Sequence, residues 1–313
     1  MNWQPSAALP ALQARAELLG SLRAFFHQRA VLEVETPLLA SAPVTDPNID
    51  AYSLAGIELY LQTSPEYAMK RLLAAGSGPI YQICKAFRRG EQGSRHNPEF
   101  SMLEWYRPGL SLEALMDEVA ELLILVLGDR PVRRVSYGQL FAEVLGLDIY
   151  RTPDADLCIL AQQRHGIDGA LLDRDSALDL LFSHDIEPAL GRTDFCFVDN
   201  FPASQAALAK LGRDDSGNII ARRFEVFING LELANGYDEL SDADEQAQRF
   251  NRDGERRRER GQAVPPQDVN LLAALQAGLP DCTGVALGLD RLLMLKLGAS
   301  SLSEVLAFPI DRA

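Results

Sequence analysis

A clear local signal for secondary structure lies in the stretch Phe224-Glu-Val-Phe-Ile-Asn-Gly-Leu-Glu-Leu-Ala234. Its Asn229-Gly230 pair lies between two apolar runs, which is the strongest short-range signal for a two-residue type I′ turn between antiparallel strands. In that register Ile228 pairs with Leu231 directly across the turn. The stretch therefore predicts a β-hairpin.

The same register places two carboxylates on one face of the hairpin. It pairs Phe227 with Glu232 and Glu225 with Ala234, and directly paired residues share a face, as do residues two apart on a strand. Glu225 and Glu232 then become diagonal neighbours that could share a cation. Two carboxylates commonly support a partly hydrated Mg²⁺ beside nucleotide phosphates. A solvated strand face with two incidental glutamates is the alternative.

A second segment, from Ile80 to Tyr106, is predicted to form two strands joined by a polar loop. The loop contains Arg88, Arg95 and His96, which are donors suited to phosphate oxygens. An ordinary basic loop would have the same composition. Along the second strand, the period of two places one set of side chains on a common face, suited to contacting a flat base and an amine: Phe100, Met102, Glu104 and Tyr106.

A third segment, Gly284-Val-Ala-Leu-Gly-Leu-Asp-Arg-Leu292, is predicted to be a strand followed by a helix. Its small residues allow another group to approach the backbone closely, and Arg291 would lie in the first turn of the helix. A glycine-rich turn of this kind is weak evidence alone. The sequence contains no GxxxxGK[ST] motif, which excludes a P-loop nucleotide site.

Composition limits the possible partners. The formal net charge is −14 over 313 residues, which disfavours a partner held mainly through phosphate contacts, such as tRNA. The four cysteines are scattered without a zinc-site spacing, as expected for reduced thiols in a cytoplasmic protein. We also expect no signal peptide and no membrane-spanning segment. The arginine run between Arg249 and Arg260 is predicted to be either a solvated helix face or a docking patch.

The pattern of elements predicts an α+β fold with an antiparallel sheet flanked by helices. Helices are expected at residues 11–30, 65–74, 112–127 and 243–260. We expect a single catalytic domain over residues 1–313, with a less readable insertion at about 130–220.

Together, these segments resemble the three motifs of class II aminoacyl-tRNA synthetases, in the family's order. Motif one corresponds to the helix ending in Val34-Glu-Thr-Pro37, motif two to Phe87–Phe100 and motif three to Gly284–Arg291. Within the class the sequence is similar to lysyl-tRNA synthetase, through Ser64-Pro-Glu66, His96-Asn-Pro-Glu-Phe100 and Glu232-Leu-Ala-Asn-Gly-Tyr-Asp-Glu239. The resemblance implies the catalytic fold of the class and a homodimer built through motif one.

The resemblance extends to paralogues of that synthetase that lack an anticodon-binding barrel. Those paralogues attach (R)-β-lysine to a lysine side chain of elongation factor P. Met102-Leu-Glu-Trp-Tyr106 and Cys282-Thr-Gly-Val-Ala-Leu-Gly288 are the segments that match them. A protein acceptor is therefore expected, with no role at a membrane.

The resemblance also implies a role for individual residues, with ATP and Mg²⁺ as cofactors. Arg88 and Arg291 would be the catalytic residues, at the α- and γ-phosphates of ATP. The nucleotide would also contact Glu91, His96 and Phe100. The amino acid would be bound by Ser64, Glu66, Glu104, Tyr106, Asn235, Glu239 and Ala286, with Tyr106 and Glu239 at its distal ammonium. Mg²⁺ would be held by Glu225 and Glu232.

Some positions depart from the family pattern. Glu91 lies one place late for the Arg-x-Glu of motif two, which puts its nucleotide contact in doubt. Ser64 replaces an alanine of lysyl-tRNA synthetases and Ala286 replaces a glycine, and both changes favour a substrate whose amino group is displaced from the α-carbon. In the simple hairpin register Asn235 lies on the core face, so its role requires a bend, which we expect at Gly236.

The expected reaction is attack of the amino-acid carboxylate on ATP to give an aminoacyl-adenylate and pyrophosphate, after which an amine displaces AMP. A lysyl-tRNA synthetase with its anticodon domain on a separate chain and an amide ligase using ammonia are alternatives among enzymes. A non-catalytic paralogue that senses an amino acid is an alternative outside them.

Overall fold

The computed structural model describes residues 3–167 and 172–313. The chain forms two compact units, one of Met1–Gly128 with Glu239–Ala313 and one of Asp129–Asp238. The described helices are α1 (Leu9–Gln28), α2 (Glu66–Ala74), α3 (Leu112–Leu127), α4 (Tyr137–Leu145), α5 (Asp154–His165), α6 (Arg174–Leu181), α7 (Ala243–Glu259), α8 (Val269–Gly278) and α9 (Leu289–Leu297). The described strands are β1 (Leu32–Glu33), β2 (Leu39–Ala40), β3 (Tyr60–Leu61), β4 (Ile80–Phe87), β5 (Glu99–Pro108), β6 (Val132–Ser136), β7 (Phe195–Pro202), β8 (Leu211–Arg213), β9 (Ile219–Phe227), β10 (Glu232–Asp238) and β11 (Cys282–Gly288).

The first unit is built on a sheet in which β1, β4, β5 and β11 lie side by side in that order. β5 runs antiparallel to both of its neighbours, whereas β1 is parallel to β4. On one face of this sheet, Phe26 of α1 stacks on Tyr81 with ring centroids 4.3 Å apart and meets Trp105 edge-on at 5.3 Å. Because side chains alternate along a strand, Glu104 and Tyr106 lie on the opposite face.

In the second unit, β10, β9, β7 and β6 are neighbours in that order and β8 pairs with β9. β6 is parallel to β7, and the other pairs are antiparallel. An aromatic core fills the space beneath the sheet: the ring of Tyr137 lies 4.9 Å from those of Phe141, Phe182 and Phe201. The predicted α+β class with mainly antiparallel sheets is confirmed, and the single domain over 1–313 stays a prediction.

The turn of the β9–β10 hairpin forms as predicted. Asn229 and Gly230 have φ angles of 56° and 65°, the left-handed pair that a type I′ turn requires. The amide of Ile228 donates to the carbonyl of Leu231 at 3.0 Å, and the reverse bond is 3.1 Å. The predicted pairing of these two residues is confirmed.

Beyond the turn, the predicted register is only partly right. Phe227 lies opposite Glu232 as expected, but a bulge follows, so that Asn235, and not Ala234, lies opposite Glu225. An extra residue on one strand reverses the alternation of side chains beyond it. Asn235 therefore shares the face of Glu225, and the bend expected at Gly236 is not needed.

The arginine run lies on α7, and for two of its members the solvated-face prediction is wrong. Arg249 and Arg257 are buried. The guanidinium of Arg257 donates to the carbonyls of Asp46 and Ile49 at 2.9 and 3.2 Å and pairs with the carboxylate of Asp50 at 2.5 Å. A buried guanidinium needs such partners, so this arginine ties α7 to the loop before β3.

Candidate active site

Three of the residues predicted to contact ATP meet beside the β4–β5 loop. The guanidinium carbon of Arg88 lies 5.1 Å from the ring centre of Phe100, and its Nη1 is 3.7 Å from Oε1 of Glu91. The Nε of Arg88 is buried and has no hydrogen-bond partner among the described residues. A buried donor without a partner is costly, so an acceptor oxygen from a ligand would stabilise this arginine.

The other two predicted nucleotide contacts meet at the start of α9. Nη2 of Arg291 lies 2.7 Å from Nε2 of His96, and its Nε donates to the carbonyl of Arg95 at 3.3 Å. The neighbouring Asp290 is buried and accepts a 2.7 Å bond from the amide of Ser101 on β5. This bond ties the first turn of α9 to the strand that carries Phe100.

The predicted amino-acid pocket contains a buried ammonium that sequence reasoning missed. Nζ of Lys70 lies 2.7 Å from Oε1 of Glu66 and 2.6 Å from Oε2 of Glu239. Lys70 and Glu239 are each only 1% exposed. The signal that could have found it is local, since Lys70 lies four residues after Glu66 on the predicted α2, the spacing of a helical ion pair.

A second set of contacts surrounds Glu104. Its Oε1 accepts from the hydroxyl of Tyr106 at 2.6 Å and its Oε2 from the hydroxyl of Ser64 at 2.8 Å. The Ser64 oxygen in turn accepts from the amide of Glu66 at 3.0 Å. The hydroxyl of Ser64 therefore orients Glu104, while its proton is not free for a substrate.

The strand β11 forms one wall of this pocket. Gly284 pairs with Tyr106 and Ala286 with Glu104, so all four positions share a face. A Cβ at Gly284 would lie 2.4 Å from two ring carbons of Tyr106 and 2.5 Å from Oε1 of Glu239. Glycine is therefore required there, and the methyl of Ala286 lies on the same face as Glu104; the role of Ala286 in substrate choice stays a prediction.

Electrostatics make this pocket attractive to cations. Burial raises the pKa of Glu104 to about 7, with a further contribution from the charge of Glu66. Burial likewise raises the pKa of Glu239 to about 8, against the opposing charge of Lys70. Burial alone would lower the pKa of Lys70, but the charges of Glu239 and Glu66 outweigh it and raise the pKa above its ordinary value. Lys70 thus stays charged, and the carboxyl groups outnumber the cations.

The two predicted metal ligands lie on the hairpin of the second unit. Burial raises the pKa of Glu225 to about 8; the charge of Arg223 opposes this and that of Glu232 adds to it. Arg223 donates to Oε1 of Glu225, and Nδ2 of Asn235 contacts the same oxygen at 3.4 Å. The Oδ1 of Asn235 is buried without a hydrogen-bond partner among the described residues. Arg223 was not foreseen as a neighbour of this pair.

Residues 3–167 and 172–313 contain neither a cluster of metal-ligating side chains nor a helix suited to crossing a membrane. No three His, Cys, Asp or Glu side chains are grouped there so that they could hold a metal ion. No helix in those ranges combines the length and the apolar character needed to cross a membrane.

Comparison with known proteins gives a consistent result. The family described as tRNA synthetases class II (D, K and N) matches residues 3–312. A protein of Pseudoalteromonas translucida named elongation factor P–(R)-β-lysine ligase is 50% identical, with 99% of this chain and 98% of that protein covered. Proteins of the same name from Salmonella dublin and Salmonella typhimurium are 49% identical, with 100% of this chain and 98% of each relative covered.

Proposed function

The chain belongs to the class II tRNA synthetase family, as a ligase, and we propose that it activates (R)-β-lysine with ATP and transfers it to a lysine side chain of elongation factor P. The observation that carries the proposal is the buried cluster of charged side chains around Lys70 in the predicted amino-acid pocket, where carboxyl groups outnumber cations. Such a pocket suits an amino acid with two ammonium groups. The relatives that share the chain's full length and about half of its residues are named for this substrate and acceptor.

The first step is an in-line displacement at phosphorus. An oxygen of the substrate carboxylate forms a bond to the α-phosphorus of ATP, the bond from that phosphorus to the bridging oxygen breaks, and pyrophosphate leaves. Little proton transfer is needed, so the protein acts by positioning the reactants and neutralising charge. Arg88, with its unpartnered Nε, supplies positive charge at the α-phosphate, and Arg291 with His96 supplies it at the γ-phosphate. Phe100 offers an apolar face for the adenine.

The hairpin residues fit a bound Mg²⁺. Glu225 and Glu232 repel each other, and the Oδ1 of Asn235 on the same face lacks a hydrogen-bond partner among the described residues. Carboxylate and amide oxygens are the ligands that Mg²⁺ prefers. When bound, the ion would neutralise charge on the phosphates. Arg223 holds one oxygen of Glu225 and thereby fixes the orientation of the other.

The second step transfers the acyl group to an amine. The neutral amine of the acceptor lysine attacks the acyl carbon, AMP leaves, and the nitrogen loses a proton to complete the amide. The position of Ala286 supports β-lysine as the group transferred, since Ala286 pairs with Glu104 and its methyl lies on the same face, where the glycine of lysyl-tRNA synthetases would leave more room for an α-amino group. The charge of −14 makes a phosphate-rich acceptor such as tRNA less favourable than a protein.

Assembly and location complete the proposal. The proposal includes a homodimer built through the segment around Val34–Pro37. It also includes a cytoplasmic location, which matches the four free cysteines.

Pyrophosphate exchange tests the proposal. The protein with ATP, Mg²⁺ and (R)-β-lysine should return labelled pyrophosphate to ATP. Arg291→Ala and Glu232→Gln should each lower the exchange rate about 10²-fold or more, the effect of removing a charge-stabilising group. Lys85→Met, which removes a half-exposed lysine paired with Glu99, is the control and should exchange at the wild-type rate. Wild-type exchange in either site variant would contradict the assignment of these residues.

A further inference from the structure

Lys70 has no part in the steps described above, yet its charge is almost completely buried in the predicted amino-acid pocket of the first unit. It is 1% exposed, lies on α2, and its ammonium contacts Glu66 and Glu239 at 2.7 and 2.6 Å. Burying an ion pair rarely stabilises a protein more than apolar residues of similar volume would. Its position beside the predicted substrate contacts therefore calls for another explanation.

We infer that Lys70 is a positioning residue that sets the charge of the pocket, so that it accepts amino acids carrying two ammonium groups. The inference rests on the proposed function and adds a specificity determinant to it. The pocket contains three carboxyl groups, those of Glu66, Glu104 and Glu239. Burial raises the pKa of Glu104 and of Glu239, and the cations of the substrate would displace the protons that these groups retain in the empty pocket. With Lys70 charged and all three carboxyl groups then ionised, two negative charges remain for the two ammonium groups of the substrate.

Lys70 acts through its two carboxylate neighbours. Its ammonium lies between Glu66 on α2 and Glu239, and so fixes both carboxylates in place before the substrate arrives. Preorganised charges of this kind cost nothing to arrange at the moment of binding. Without the ammonium, Glu66 would repel Glu239, and the pKa of Glu239, already raised by burial, would rise further. The titratable groups that face this cluster are Glu66, Tyr67, Cys84, Glu104, Tyr106 and Glu239.

The dependence of substrate use on pH tests this role. Lys70→Met should raise the KM for (R)-β-lysine about tenfold or more, because the loss of one partner leaves a buried charge uncompensated. The KM for ATP should change much less. The acid limb of kcat/KM for the amino acid should move about one to three pH units higher, since the carboxyl pKa values rise when the neighbouring cation is removed.

Two further variants separate charge from packing. Lys70→Arg keeps the positive charge and should keep the wild-type acid limb. The double variant Lys70→Met with Glu66→Gln removes one charge of each sign, and its acid limb should return toward that of the wild type. If Lys70 acted only through packing, the acid limb of the double variant would not move back toward that of the wild type. If Lys70→Met is not recovered folded, Lys70→Arg and the double variant decide the question in the same way.

The outcomes are distinct. A Lys70→Met protein with the wild-type KM and the wild-type acid limb overturns the role of Lys70 while leaving the proposed function intact. A double variant whose acid limb does not move back toward that of the wild type has the same consequence. A wild-type protein that activates no lysine-type amino acid contradicts the proposed function, and the role of Lys70 falls with it. The Lys85→Met control should match the wild type in every arm.

Discussion

At the scale of single residues, Gly284 defines how close β11 comes to the amino-acid pocket. Glycine weakens a strand interior, so its presence there usually marks a close approach of another group. Here the approaching groups are the ring of Tyr106 and the carboxylate of Glu239. Gly288, further along the same strand, provides a contrast, because a Cβ there would meet nothing nearer than 3.7 Å.

Gly284→Ala should therefore damage the pocket, whereas Gly288→Ala should not. The new methyl would displace Tyr106 or Glu239, and overpacking of this kind costs about 1–3 kcal/mol of unfolding free energy. Denaturant unfolding, together with the KM for the amino acid, measures both effects. Equal losses in the two variants would show that Gly284 is not held by these contacts.

Substitution of Ala286 tests whether this residue makes the pocket prefer (R)-β-lysine over α-lysine. Ala286→Gly should shift preference toward α-lysine by about 1–3 kcal/mol, the range expected for a methylene-sized change in a pocket. The measurement is adenylate formation with α-lysine and (R)-β-lysine, for wild type and variant side by side. A wild type that already prefers α-lysine, or an unchanged ratio in the variant, would remove the basis for the β-lysine assignment.

One part of the pocket could be predicted from the sequence and another part could not, for a physical reason. Glu104 and Tyr106 could be assigned to one face because the period of a strand is two. The pairing of Lys70 with Glu239 joins residues far apart in the chain, and nothing local indicates it. Arg223 was missed although it lies two residues from Glu225, because a charge on a strand does not reveal its partner.

At the scale of elements, the β9–β10 hairpin combines a turn that could be predicted with a bulge that could not. The Asn-Gly pair favours the positive φ angles of a type I′ turn, so the turn could be predicted from the sequence. A bulge depends on how the extra residue packs and leaves no such signal. The bulge brings Asn235 to the face of Glu225, where the proposed Mg²⁺ site lies.

Gly230 allows this turn to pack closely against the backbone of Pro188. A Cβ there would lie 2.9 Å from the carbonyl oxygen of Pro188, whereas a Cβ at Gly217 would meet nothing within 4 Å, and both glycines have positive φ. Gly230→Ala should therefore lower the unfolding free energy by about 1–3 kcal/mol more than Gly217→Ala does, because overpacking adds to the backbone strain that both share. Denaturant unfolding monitored by circular dichroism gives the comparison. Matching losses would mean that the turn can move away from Pro188.

At the scale of the whole molecule, the α+β class and the boundaries of several elements follow from the sequence, as α3 at Leu112–Leu127 shows. The division into two compact units does not, since it depends on contacts between distant parts of the chain. The relatives are matched over 98% of their own length. The function proposed for this chain is therefore that of an entire ligase.

The most direct measurement is the mass of elongation factor P after incubation with this protein, ATP, Mg²⁺ and (R)-β-lysine. We expect the gain of one β-lysyl group on one lysine side chain, little gain with α-lysine, and no charging of tRNA offered in the same reaction. The Arg291→Ala protein should produce no gain over the same period. Charging of tRNA in place of elongation factor P, or unmodified elongation factor P beside an active adenylate-forming enzyme, would contradict the proposed function.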